Sequence, residues 1–267
     1  MKTEIPIQEL PLKAVGLLRT VVEEIRIDPV ERPQEYILTL HAAHIAKLAE
    51  EIVFLEANNK RAAAPVIARA VYESLFKIGL ALKNPGLAAE KTLREFEWSM
   101  IQGEMRGAQE RDLKKIRERP GYKEIGEMVS SLEKRWKLSG KSISPDTKLS
   151  TFWCAREAGM IRFYHGQYAL LSAYAHGSSD TFIYRAFDLT TGYVIPAVTT
   201  ALNEAITRIA MKYHRELPHA LLIEVKSFDE IFKSYLKSGQ FMDYLKNELT
   251  GNKSPKPTSP DKRFEKN

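Results

Sequence analysis

Cysteine is nearly absent: Cys154 is the only one among 267 residues. That excludes a disulfide framework within the chain and fits a reducing compartment. Long apolar runs are missing too. No stretch approaches the roughly 18 uninterrupted apolar residues that a membrane-spanning helix requires. The opening residues, MKTEIPIQELPLK, lack the apolar run of a signal peptide. The expected compartment is therefore the cytoplasm, with no membrane association. Nucleotide and hydrolase signatures are also missing: the chain contains no glycine-rich phosphate loop, no GxSxG elbow and no HExxH pair. No cofactor is expected.

Metal ligands are sparse. His41 and His44 share a helical face with Glu51, but a carboxylate-bridged metal bundle needs paired Glu-x2-His motifs, and the one here, Glu216 to His219, is interrupted by Pro218. No metal site is expected. Cys154, between Trp153 and Ala155, reads as a small core residue. Phe96, Trp98, Trp136 and Trp153 read as core or helix-contact residues rather than a ligand cage.

What the chain does have is apolar residues, 44% of the total, recurring at three- and four-residue spacing almost throughout. This is an all-α pattern, and enough apolar surface for a substantial core. The spacing predicts a bundle of about eight or nine helices, at about 9–27, 34–57, 60–83, 86–119, 121–138, 145–158, 160–176, 196–216 and 227–249. Gly103 and Gly107 predict a bend in the fourth. Ser144 and Pro145 read as the cap and first residue of the sixth, with Gly159 and Gly177 closing the sixth and seventh. The stretch TFIYRAFDLTTGYVI, rich in β-branched and aromatic residues around a Thr-Thr-Gly turn, predicts a short β-hairpin over 181–195. No repeat or internal linker is evident, so 1–249 is expected to form a single helical domain followed by a disordered basic tail, 250–267.

The formal net charge is +6, and the excess sits in region 102–142 and in the tail. It points to RNA or another anionic partner; a homodimer is a separate expectation, its second copy being a source of the second proton-transfer group that a metal-independent ribonuclease needs. The simpler account of 102–142 is a solvated helix face laced with i,i+4 ion pairs, since few aromatic rings interleave there as stacking platforms.

Two segments carry the polar groups of interest. The third helix, RAAAPVIARAVYESLFKIGLAL, is apolar nearly all round yet holds Arg69 and Glu73 one turn apart, with Tyr72 beside them. The seventh, YHGQYALLSAYAHGS, carries Tyr164, Tyr168, Ser172 and His176 at four-residue steps, a slowly drifting stripe on a helix. A buried ion pair needs further donors and acceptors, which Tyr168, Ser172 and His176 offer if the two helices pack side by side. The candidate site is thus Arg69, Glu73, Tyr168, Ser172 and His176. In a catalytic role, His176 moves a proton and Arg69 meets charge developing on phosphorus, while Tyr168 or Ser172 positions the phosphate. In an architectural role the same groups fix the register of two core helices.

The segments PVIARAVYESLFKIGLAL, Trp136 with the following KLSGKS, and YHGQYALLSAYAHGSS resemble the mostly bacterial family catalogued as domain of unknown function 5677, over roughly Arg61 to Phe182. Its recurring features are an Arg-x3-Glu in a buried helix and a late Tyr-x3-Ser-x3-His. Here they correspond to Arg69 and Glu73, and to Tyr168, Ser172 and His176. More distantly the chain resembles the HEPN superfamily of helical bundles. That likeness implies a metal-independent ribonuclease acting as a toxin or phage-defence effector. The HEPN signature, an arginine followed after four to six residues by a histidine, is not met at His176, where Ala169, Leu170 and Leu171 occupy the arginine positions. Arg208 and His214 meet the spacing, in a helix that otherwise reads as amphipathic with a basic last turn.

Overall fold

The computed structural model describes residues 6–58, 60, 63–102, 115–116, 118–138, 150–175 and 189–237. Among them it is all-α, with no strand. The described residues form nine helices: α1 (Leu10–Ile25), α2 (Tyr36–Ala57), α3 (Ala64–Lys83), α4 (Pro85–Gln102), α5 (Lys123–Arg135), α6 (Thr151–Glu157), α7, α8 (Leu189–Lys212) and α9 (His219–Lys237). Helix α7 runs without a break through α-helical Ile161–Phe163, π-helical Tyr164–Tyr168 and α-helical Ala169–Ala175. Among the described residues, no helix is long and apolar enough to cross a membrane.

Helix α3 is the axis of the bundle and packs against α2, α4, α6, α7 and α8, while α1 closes the far side against α2 and α8. Its composition explains the position. Ala64, Ala68, Val71, Tyr72, Leu75, Phe76, Ile78 and Leu80 are all buried, so apolar side chains leave it in nearly every direction. The stripe not sealed runs Val66, Arg69, Glu73, Lys77, spaced three, four and four residues. Helix α1 shows the complementary pattern, a one-sided stripe of Leu10, Ala14, Leu17, Leu18, Val21 and Ile25 facing the core.

Two glycines position the α3–α6–α7 contact. Gly159, at φ +70°, follows α6; its N–H donates to the Arg156 carbonyl at 3.0 Å, and Met160 N–H donates to Ala155 at 2.7 Å. This paired closure needs a left-handed residue, which glycine adopts without a Cβ clash. It closes α6 as expected. Gly79 faces that turn, and a Cβ there would lie 2.8 Å from Met160 Cε and 2.9 Å from Ala158 Cβ. Only a hydrogen lets the Met160 and Ala158 side chains pack so closely on α3.

Several expectations are corrected. The hairpin over 181–195 does not form as such, because residues from Leu189 onward belong to α8, while 181–188 lie outside the described residues. Val194, Ile195 and Val198 are buried among α1 and α3, so helical packing overrides their β preference. Pro196 sits inside α8, where Thr199 and Thr200 donate to the Ile195 and Pro196 carbonyls at 2.8 Å each. Helix α6 begins at Thr151, not at 145: Ser150 is extended and accepts the Trp153 N–H at 3.1 Å. Ser144, Pro145, Gly103, Gly107, Gly177 and the tail 250–267 lie outside the described residues. Helix α9 starts eight residues earlier than 227, directly after Pro218. Phe96, expected as a core or helix-contact residue, is 36% exposed and so is not core.

Candidate functional site

Arg69 and Glu73 leave α3 one turn apart and meet Tyr168 of α7. Arg69 Nε donates to Glu73 Oε1 at 3.2 Å and to the Tyr168 hydroxyl at 3.3 Å, and that hydroxyl donates to Glu73 Oε1 at 3.1 Å. The three groups close a triangle between residues 95 and 99 positions apart in sequence. Arg69 Cζ also lies 5.6 Å from the Tyr168 ring centroid, within cation–π range. Partial burial opposes the guanidinium charge, but the Tyr168 hydroxyl and the Glu73 carboxylate outweigh it and hold Arg69 above its ordinary pKa. The pair is not sealed. The side chains of Arg69 and Glu73 remain 27% and 34% exposed, whereas Tyr168 is 5% exposed.

Of the other expected members, Ser172 is half-buried one turn along α7, and its hydroxyl joins none of these bonds. His176 lies outside the described residues. Tyr72, expected beside the pair, points elsewhere: fully buried, it donates to the Ala197 carbonyl of α8 at 2.8 Å, and burial raises its pKa well above 10.0. Arg208 and His214, the pair with HEPN-like spacing, do not converge. Arg208 binds Glu204 at 2.6 Å and the Ala158 carbonyl at 3.4 Å, whereas exposed His214 meets its own turn at the Met211 carbonyl, 3.1 Å away. Helix α8 ends at Lys212, so Arg208 lies on the helix while His214 lies in the turn beyond it.

The sequence did not signal two features around the triangle. The first is the π-helical turn Tyr164–Tyr168, where the Ala169 N–H reaches back five residues to the Tyr164 carbonyl. π-Turns within α-helices recur at functional sites because they re-aim side chains at the cost of weaker hydrogen bonding. Here the turn accompanies a continuous ring cluster. Tyr164 stacks on Tyr168 at 5.1 Å between centroids, Phe76 meets both at 6.4 and 5.8 Å, and Phe152 of α6 sets its edge against Tyr164 at 5.3 Å. A glycine in mid-helix, Gly166, was the one available signal.

The second is a half-buried ionic group between α2, α3 and α4. Lys77 and Lys91 share the two oxygens of Glu95, at 2.6 and 2.8 Å, with Lys91 only 2% exposed. Burial opposes the Glu95 charge, but the two ammonium groups outweigh it and hold the carboxyl below its usual range. His41, 9% exposed, lies 3.2 Å from Thr92 Oγ1, and burial, reinforced by the Lys77 charge, pushes it down to about 3. Burial likewise pushes the Cys154 thiol up to about 11, so it stays protonated and unreactive at neutral pH.

Residues 35–192 match the family model described as a family of unknown function (DUF5677), a span that includes all five expected site residues. No curated protein and no solved structure gives a significant match.

Proposed function

The chain belongs to this family of unknown function, and from that premise we propose that it is a nucleic-acid-acting enzyme of the ribonuclease type, with Arg69, Glu73, Tyr168, Ser172 and His176 as its centre. One observation carries this reading. The Arg69–Glu73 pair, on the one unsealed stripe of the central helix α3, stays partly open to solvent beside a row of aromatic rings. A cation next to ring faces suits an unpaired polynucleotide, which offers a phosphate and a base side by side.

In this scheme His176 takes the proton of a ribose 2′-hydroxyl. The 2′-oxygen then bonds to phosphorus, and the bond from phosphorus to the 5′-oxygen breaks with its electron pair. A 2′,3′-cyclic phosphate and, once the leaving oxygen takes a proton from water, a 5′-hydroxyl result. Arg69 stabilises charge on the equatorial phosphate oxygens. Glu73 and Tyr168 hold the guanidinium in place, and Ser172 positions the phosphate. On this reading the activity is that of a toxin or phage-defence effector, to be followed as growth inhibition.

A second reading has its own support. Each member of the triangle is bonded to the other two, as a purely architectural tie between α3 and α7 would be. Such a chain would be a non-catalytic interaction or scaffold protein. Two variants separate these. His176→Ala is expected to abolish RNA cleavage while leaving Tm within a few degrees, and so is the double variant Arg69→Gln/Glu73→Gln, which keeps neutral hydrogen-bonding groups. Cleavage that is absent from the wild type or unchanged in the variants, with a stability loss of about 1–3 kcal/mol in either variant, would establish the architectural role instead.

A further inference from the structure

The outward ends of α6 and α7 form a surface that the triangle does not use. Phe152 is 40% exposed on α6, and Arg156, one turn on, is exposed beside it. On α7, Ile161, Arg162 and His165 are all exposed. The rings are arranged as a corner: Phe152 and Tyr164 at 5.3 Å and 75°, Phe152 and His165 at 6.1 Å and 61°, Tyr164 and His165 at 5.5 Å and 86°. Tyr164 is in turn stacked at 26° on Tyr168, whose hydroxyl holds Arg69. The row therefore runs continuously from the surface to the candidate centre.

Single exposed rings are ordinary on protein surfaces, but a contiguous group flanked by cations is a recognition surface. Its charge selects the occupant. Among the described residues, Arg156 is balanced by half-buried Glu157 alone, at 3.2 Å. Arg162 lies over the Phe163 ring at 5.0 Å and has no carboxylate partner among the described residues. An anionic chain that also carries flat aromatic groups satisfies both halves of this surface. A duplex does not, because its base faces are hidden in the stack.

We infer that Phe152, Tyr164 and His165 form a stacking platform for an unpaired base of single-stranded RNA, with Arg156 and Arg162 meeting its phosphates. This rests on the ribonuclease reading above for the choice of RNA and deepens it by naming the strand state and the residues that select it.

The test is binding of a labelled oligouridine to the full chain at fixed salt, by fluorescence anisotropy. Phe152→Ala and His165→Ala are each expected to weaken it about tenfold, in line with the loss of one stacked base. Phe152→Trp should bind at least as well as the wild type. A blunt RNA duplex of equal length should bind more weakly and be insensitive to all three. His165→Ala guards against misfolding, since its ring is exposed, and Tm is read for each variant. Unchanged oligouridine binding in both alanine variants overturns the platform, as does preference for the duplex or equal displacement by polyglutamate. Cleavage is followed separately at saturating RNA. Loss of stacking raises KM and spares kcat, whereas loss of Arg69 or His176 lowers kcat. Phe152-dependent binding without any cleavage would leave the platform standing and remove the ribonuclease, and cleavage with Phe152-independent binding would do the reverse.

Discussion

His41 shows how far surroundings move a single side chain. In an unfolded chain its imidazole gains a proton near pH 6.5, but in the fold burial and then the charge of Lys77 keep it neutral down to about 3. Glu95 pulls the other way, while His44 and Lys91 add to the effect of Lys77. A folded-state pKa below the unfolded one means the contribution is complete above pH 6.5 and is lost as pH falls toward 3, because the unfolded state binds a proton the folded state refuses. Stability should therefore drop between pH 6.5 and 5, above the range where carboxylates titrate, by at most about 1.4 kcal/mol per pH unit from this residue. Urea melts across that range are expected to show a shallower decline for His41→Gln, with the remainder coming from His44, which burial also lowers. An identical slope in wild type and variant would contradict the assignment.

At the scale of elements, the contact of α3 with the turn between α6 and α7 depends on Gly79. A methyl group there must displace both Met160 and Ala158, and Met160 is itself 0% exposed, with no free space to move into. Glycine is ordinarily unfavourable in mid-helix by about 1 kcal/mol relative to alanine, so on propensity alone Gly79→Ala would stabilise. Overpacking costs about 1–3 kcal/mol and is expected to prevail, giving a net loss in thermal melts. Because this turn also sets where α7 lies, the same variant should disturb the Tyr168 contact with Arg69. A gain in Tm would show that the helices can separate without penalty.

Across the whole molecule, the segment before α2 is tied to the segment after α8. Arg32 binds Glu216 at 3.0 Å across 184 residues and binds Glu35, which in turn accepts the Tyr213 hydroxyl at 2.7 Å; Arg32 also lies 5.4 Å from the Tyr213 ring centroid. Burial opposes the Glu35 charge, but Arg32 and the Tyr213 hydroxyl outweigh it and lower its pKa. With Arg32 and Glu216 30% and 43% exposed, solvent screens the pair. A double-mutant cycle on Arg32 and Glu216 should give a coupling below about 1 kcal/mol that shrinks in high salt. A larger, salt-insensitive coupling would mean the tie is effectively buried.

The helical class, the all-round burial of α3, the closure at Gly159 and the pairing of Arg69 with Glu73 follow from sequence, because each rests on residues within one or two turns of each other. The partner choice of Tyr168, the buried hydrogen bond of Tyr72 to Ala197, the helical state of residues from Leu189 onward and the sharing of Glu95 by two lysines were decided only by tertiary structure. Those depend on which helix lies alongside. Local periodicity specifies that an apolar face must be covered, but the neighbour that covers it is chosen by how all nine helices fill the same volume at once.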